Sequence, residues 1–246
     1  MNPIDTMMHH RSIRQFKKHA VPPQQLSVLL DVAKASASST GMQRFSIIRI
    51  VNPELKRQIA DVCKQDYVAD MPELLIFVVD AYRNAQIAKE QGLESDDTRN
   101  ADVFFQGWTD GVIAAQTLVT AAELAGFGTV YLGSILNDTP KIIELLELPQ
   151  LVFPIVGLGF GDPDQNPMLK PKMPRELNVF DDQYDIFPNY MAAFDDYDEV
   201  MDEYYDLRNT KRSVGRFTGQ VLERIQTQIP KRRDLVEQAK AQGFLL

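Results

Sequence analysis

A lone cysteine, Cys63, leaves the 246-residue chain without an intrachain disulfide or a thiolate cluster for a metal, and 3 histidines supply a zinc site poorly. Positive charge is scarce as well. The 26 Lys and Arg against 34 Asp and Glu give a net charge of −8, which argues against nucleic acid or an anionic membrane as the main partner. No apolar run approaches the roughly 18 residues of a membrane span. The N-terminus has no basic segment leading into an apolar stretch and a cleavage site, so a cytoplasmic protein is expected. There is no internal repeat and no low-complexity linker. Reactive motifs are missing too: no GxSxG elbow, no HExxH, no GxGxxG, no GxxxxGK[ST], and no carboxylate cluster written beside the histidines.

What the chain does have is 44% hydrophobic residues, enough to bury the core of one large domain or of a domain with an appendage. Up to about residue 180 apolar segments of two periodicities alternate. Leu26, Leu29, Leu30 and Ala33 have helical spacing, "FSIIRIV" at 45–51 and "ELLIFVVD" at 73–80 read as strands, and "PELKRQIADVC" opens a helix with Pro53 in its first turn. A long helix is predicted over 101–126, ended by Gly126. A strand at Thr129–Leu132, a helix from about Pro140 to Leu146 and a strand in "LVFPIVGLGFG" follow. This order predicts an α+β or α/β sandwich with the sheet covered on both faces. The long helix is apolar on more than one side, which suits a core or a subunit interface. After 180 the text turns acidic and then basic, predicting a core over 1–180 and a helical C-terminal extension over 181–246 that wraps the core or a partner subunit.

Against the acidic background, "MMHHRSIRQFKKH" at 7–19 concentrates His10, Arg11, Arg14, Lys17 and Lys18. If the stretch is extended, Ser12 and Arg14 share one face while Ile13 packs inward, so hydrogen-bond donors converge; the alternative is a solvated basic turn. Lys170 and Lys172 flank Pro171 in a proline-stiffened loop, suited to a phosphate or simply an exposed connector. "ASASSTG" at 35–41 offers hydroxyls and amides, or only a helix-terminating turn. The glycines of "GLGFGDP" at 157–163 suit tight packing more than phosphate binding. Cys63 lies on an amphipathic helix and reads as a small buried apolar group.

Taken in order, "HRSIR", "SSTGMQRFSIIRI", "GTVYLGSILND", "PIVGLGFGDPDQNPMLKPKMP" and the tail "EYYDLR" resemble the FMN-dependent nitroreductase family. The similarity is to its branch of oxygen-insensitive NADPH nitroreductases and NADPH flavin reductases, and it covers essentially the whole chain. It implies an α+β sandwich with a central mixed sheet covered by helices and a C-terminal helical extension. It also implies an obligate homodimer with helices exchanged between subunits and one FMN in each of two interface clefts. On matching positions, His10, Arg11 and Ser12 would bind the FMN phosphate, together with Lys170 and Lys172. Arg14 would reach the N1/O2 edge of the ring, where negative charge collects on reduction. Ser38, Ser39 and Gln65, and less directly Gln43, match positions bonded to ribityl or ring atoms; Tyr131, Leu132, Gly133 and Ser134 match the segment lying against one side of the ring. The branch often has Arg where Lys172 stands, so the charge is kept and the bidentate geometry lost. Gly41 falls where relatives can carry an aromatic, implying a wider acceptor pocket. Tyr205, Arg208 and Arg232 match positions near which the branch handles NADPH or substrate.

The implied chemistry is ping-pong. NADPH or NADH reduces the flavin, the oxidised nucleotide leaves, and a nitroaromatic, quinone, azo dye or free flavin takes two electrons at the same face. The cofactor carries the reactivity, so no acid, base or nucleophile of the chain is expected to be essential. Two rivals remain at this point: a non-catalytic FMN-binding or flavin-regulated interaction protein, and an ordinary binding domain whose basic patch meets an acidic partner.

Overall fold

The computed structural model describes residues 2–206 and 213–246. The chain forms two compact units, Met1–Gln165 with Ile229–Leu246, and Asn166–Gln228, where the sequence suggested one break at 180.

The first unit is built on strands β1 (Phe45–Arg49), β2 (Glu73–Asp80), β3 (Gly128–Leu132) and β4 (Val152–Gly161), in the order β1-β2-β4-β3. All neighbouring pairs are antiparallel. The expected mixed sheet is corrected to this extent: among the described residues, parallel pairing is confined to isolated bridges such as Ser12 to Thr129. β2 is buried along its whole length, and its residues alternate between two cores. Leu75 and Phe77 face α2 (Pro23–Lys34) and α5 (Ala101–Leu124), while Leu74, Ile76 and Val78 face α3 (Pro53–Cys63) and α6 (Thr139–Leu145). This is the period-2 rule applied to a strand covered on both sides, and each buried Leu, Ile or Phe contributes roughly 1.5–3 kcal/mol. The register slips between Phe77 and Val78, opposite Pro154, a residue with no amide to give a ladder.

Helix ends follow local chemistry. The Asn100 side chain accepts from the Val103 amide at 3.0 Å to start α5, Asn52 caps α3 ahead of Pro53, and Asn2 caps α1 (Pro3–Met8). α5 buries Val103, Gly107, Gly111, Ala114, Leu118 and Ala122 along one stripe, yet leaves Phe105, Val112, Ile113 and Leu124 exposed on the other side. A short polar helix, α4 (Tyr82–Glu90), follows β2 and was not legible in the sequence.

The second unit holds helices α7 (Tyr190–Ala193), α8 (Asp195–Asp202) and α9 (Phe217–Gln226), and buried Asp198 joins α8 to α9 by accepting the Thr218 amide at 2.9 Å and its hydroxyl at 2.5 Å. Phe194 stacks on Phe217 with centroids 5.6 Å apart, and burial pushes the Tyr197 phenol above its ordinary pKa. The last helices, α10 (Pro230–Arg233) and α11 (Leu235–Ala241), belong to the first unit, where Phe244 is buried edge-on against Phe104 at 4.9 Å.

Candidate functional site

The sequence left two readings of "HRSIR", an extended segment or a solvated basic turn; the segment pairs along the edge strand with Ile13 inward. The Ile13 amide donates to the Thr129 carbonyl at 2.8 Å, Ile13 is buried, and Ser12 bridges Thr129 on the edge strand β3. Gly128 permits this approach, since a Cβ there would stand 2.6 Å from Ile13 Cγ1. Just before it, His10 Nδ1 lies 2.6 Å from Glu123 Oε1, which also accepts the Thr129 hydroxyl at 2.5 Å. A carboxylate only accepts, so Nδ1 carries the proton and Nε2 is left for another partner. Arg11 Nε is buried with no hydrogen-bond partner. A buried cationic donor left unpaired is costly, and an anion bound to this segment would satisfy it. Arg14 lines a cleft of about 720 Å³ with Phe16, Lys17, Lys18, Tyr67 and Asp70, in the size range of small-molecule sites.

Along β3, roughly 10 Å from Thr129 at about 3.3 Å per residue, a second group of expected residues meets. Gln65 Oε1 accepts the Ser134 hydroxyl at 3.0 Å and the Tyr67 hydroxyl at 3.0 Å. Arg232 Nη1 donates to the Gly133 carbonyl at 2.8 Å and to Asn137 Oδ1 at 3.3 Å, so at least part of its guanidinium holds the chain rather than a ligand. Leu132 is buried beneath this segment, and the Tyr131 hydroxyl donates to Gln116 of α5 at 3.2 Å. Burial, with the Glu123 charge added, raises the Tyr131 pKa. Cys63 confirms its apolar reading: burial pushes its thiol up to about 11, partly offset by a hydrogen bond to Ser134.

A third group is the loop holding Ser38, Ser39, Gly41 and Gln43. Thr40, Gly41 and Gln43 have φ of 51°, 70° and 49°, and a side chain at Gly41 would meet open space. The Ser39 amide donates to Asp110 of α5 at 2.8 Å and the Arg44 amide to the same carboxylate at 3.2 Å. Lys170, Lys172 and Tyr205 are exposed residues of the second unit, and Arg208 lies outside the described residues.

Three features escaped the sequence reading. The histidines do have acidic company: Glu123 at His10 and Asp162 at His19, brought from far along the chain. Asp110 ties the serine loop to α5. For Asp110 and Glu123 the only signal was that acidic residues interrupt a helix otherwise rich in Ala and Val; Asp162, just past β4, had none. The glycines of β4 serve packing, as expected, with Met71 occupying the space where a Cβ at Gly159 would stand. Among the described residues no group of His, Cys, Asp or Glu is arranged to hold a metal, and no helix is long and apolar enough to cross a membrane.

Similarity to known proteins extends over most of the chain. The Nitroreductase family matches residues 7–162, and the Nitroreductase family C-terminal domain matches residues 170–246. The chain belongs to the nitroreductase family. An oxygen-insensitive NADPH nitroreductase of Salmonella typhimurium is 37% identical over 214 residues, covering 86% of each chain. An FMN reductase (NADPH) of Bacillus subtilis is 31% identical, with 90% of each covered. A solved nitroreductase from B. subtilis superposes with a TM-score of 0.91 at 30% identity over 99% of both chains. As a nitroreductase-family protein the chain is an oxidoreductase, and its α+β fold is that of its relatives.

Proposed function

We propose that this nitroreductase is an FMN-dependent NAD(P)H oxidoreductase that passes two electrons from NADPH or NADH to a nitroaromatic, a quinone or free flavin by a ping-pong sequence, as a homodimer in the cytoplasm. The observation that carries the reading is the buried Arg11 Nε, without a hydrogen-bond partner, on a segment fixed to β3 beside His10, whose Nε2 makes no hydrogen bond among the described residues. Names of relatives that include FMN reductase and NADPH nitroreductase support it.

The chemistry supplied by FMN when bound is two-electron transfer. The chain's own residues bind and orient it. His10, Arg11 and Ser12 hold the phosphate. Arg14 places positive charge at the N1/O2 edge. Gln65, whose Oε1 accepts from Ser134 and Tyr67, would offer its amide NH₂ to the cofactor, and the Tyr131–Ser134 segment would back the ring. The exposed apolar residues of α5 supply the contact for a second copy.

The test is a flavin titration of the purified chain followed by assays of NADPH and of NADH oxidation with menadione or nitrofurazone. Stoichiometric FMN and acceptor-dependent oxidation are expected. A chain that takes up no FMN overturns the reading, and FMN binding without oxidation of either nucleotide reduces it to a flavin-binding protein.

A further inference from the structure

The loop from Ser38 to Arg44 is shaped by a residue outside every set of binding residues named so far. Asp110 sits mid-helix on α5 at 1% exposure, among glycine, alanine and valine neighbours. Removing a carboxylate from water costs several kcal/mol unless its oxygens are hydrogen-bonded. Both oxygens are spent on one loop: Oδ1 on the Ser39 amide at 2.8 Å and Oδ2 on the Arg44 amide at 3.2 Å. Among the described residues no cation pairs with it, since the Arg44 guanidinium turns to Gln106 and that of Arg83 to the Gln43 carbonyl and Asp80.

A buried charge of this kind is a weak source of stability; its effect is to fix geometry. The geometry fixed here needs fixing. Between the two clamped amides, Thr40, Gly41 and Gln43 adopt left-handed backbone, at φ of 51°, 70° and 49°. Such conformations cost non-glycine residues roughly 1 kcal/mol or more each, so a loop released from Asp110 has lower-energy alternatives. With its amide committed to Asp110, Ser39 has its hydroxyl left for a ligand, and that hydroxyl makes no hydrogen bond among the described residues.

We infer that Asp110 is a positioning residue: it holds the Ser38–Arg44 loop ready, before the cofactor arrives, to present Ser38 and the Ser39 hydroxyl to the flavin ring edge. The inference rests on the proposed flavin site and assigns Asp110 to its ring end, distinct from the phosphate end at Arg11. Pre-organisation of this kind raises affinity by lowering the ordering cost on binding.

Riboflavin, which lacks the phosphate, separates the two ends. Asp110→Asn should weaken FMN and riboflavin by the same factor, about tenfold for a lost charge-assisted hydrogen bond, and alter the visible spectrum of bound flavin. Arg11→Ala should weaken FMN while sparing riboflavin. Wild-type affinity and spectrum for both flavins in Asp110→Asn would overturn the inference. Should that variant not fold, hydrogen exchange on the wild-type chain decides: the Ser39 and Arg44 amides should be protected without FMN as well as with it, and unprotected exchange in the FMN-free chain overturns the inference. A wild-type chain that binds neither flavin overturns the functional reading and this inference together, a result distinct from normal binding by both proteins.

Discussion

Arg11 and Arg14 share one extended segment but are assigned opposite tasks, and single substitutions separate them. Arg11→Ala should weaken FMN binding by about 1.5–3 kcal/mol, the worth of a charge-assisted hydrogen bond, with little change in the rate of flavin reduction at saturating FMN. Arg14→Ala should retain FMN but lower the two-electron potential, where about 30 mV corresponds to roughly 1.4 kcal/mol, and slow reduction by NADPH in stopped-flow measurements. The reverse pattern would exchange the assignments. Cys63 gives a prediction about pH. Its folded pKa is raised from 9.0 to about 11, so the native state holds this proton more tightly than the unfolded chain. The resulting stability is fully present below pH 9 and is lost as the pH rises through 11, about 2–3 kcal/mol in all. Urea midpoints measured across that window should fall in the wild type and fall less steeply in Cys63→Ala; parallel curves would remove Cys63 as the cause.

At the level of elements, the sequence was most legible where periodicity and burial agree. β2 reads as a continuous apolar run because both its faces are covered, and α5 is bounded by Asn100 and Gly126 much as the text suggests. α4 was missed because it is short and mostly polar, with no buried residue to mark its period. The tail, read as a helical extension over 181–246, divides between the two units, and the place of its last helices in the first unit depends on Phe244 meeting Phe104, a contact that no local pattern in "KRRDLVEQAKAQGFLL" announces. The site divides along the same line. The cationic cluster from His10 to Arg14 stood out as local text, and Gln65 and Ser134 came in through the resemblance to the family, whereas Asp110 and Glu123 act on residues 71 and 113 positions away, respectively, for which no local spacing gives notice. The packing of β3 on the basic segment can be tested directly. Gly128→Ala puts a methyl group 2.6 Å from Ile13 Cγ1, so Arg11–Ile13 must lift from the strand. Overpacking of this kind costs about 1–3 kcal/mol, and calorimetric titration should show it as weaker FMN binding. Unchanged affinity would mean that the segment's seat on β3 does not matter to the phosphate.

For the whole molecule, the decisive feature is a helix too apolar for the surface it occupies. α5 exposes Phe105 at 63%, Val112 at 42% and Ile113 at 39%, and α1, packed against it, exposes Ile4 and Met8. Two copies of a chain with net charge −8 repel one another at long range, so self-association must draw on apolar contact at short range. The same α5 carries buried Asp110 on its inner side and, near its end, Glu123 beside His10, so a contact along α5 bears on both the serine loop and His10. Ile113→Arg places a charge in the centre of that face, where burial without a partner is strongly unfavourable. Sedimentation at micromolar concentration should show a dimer for the wild type and a shift toward monomer for Ile113→Arg. Loss of FMN should accompany the shift, because a ligand that binds the assembled form stabilises it and is released when assembly fails. Monomeric wild-type holoprotein would refute the dimer, and a monomeric Ile113→Arg with full FMN occupancy would show that each subunit builds its flavin site alone.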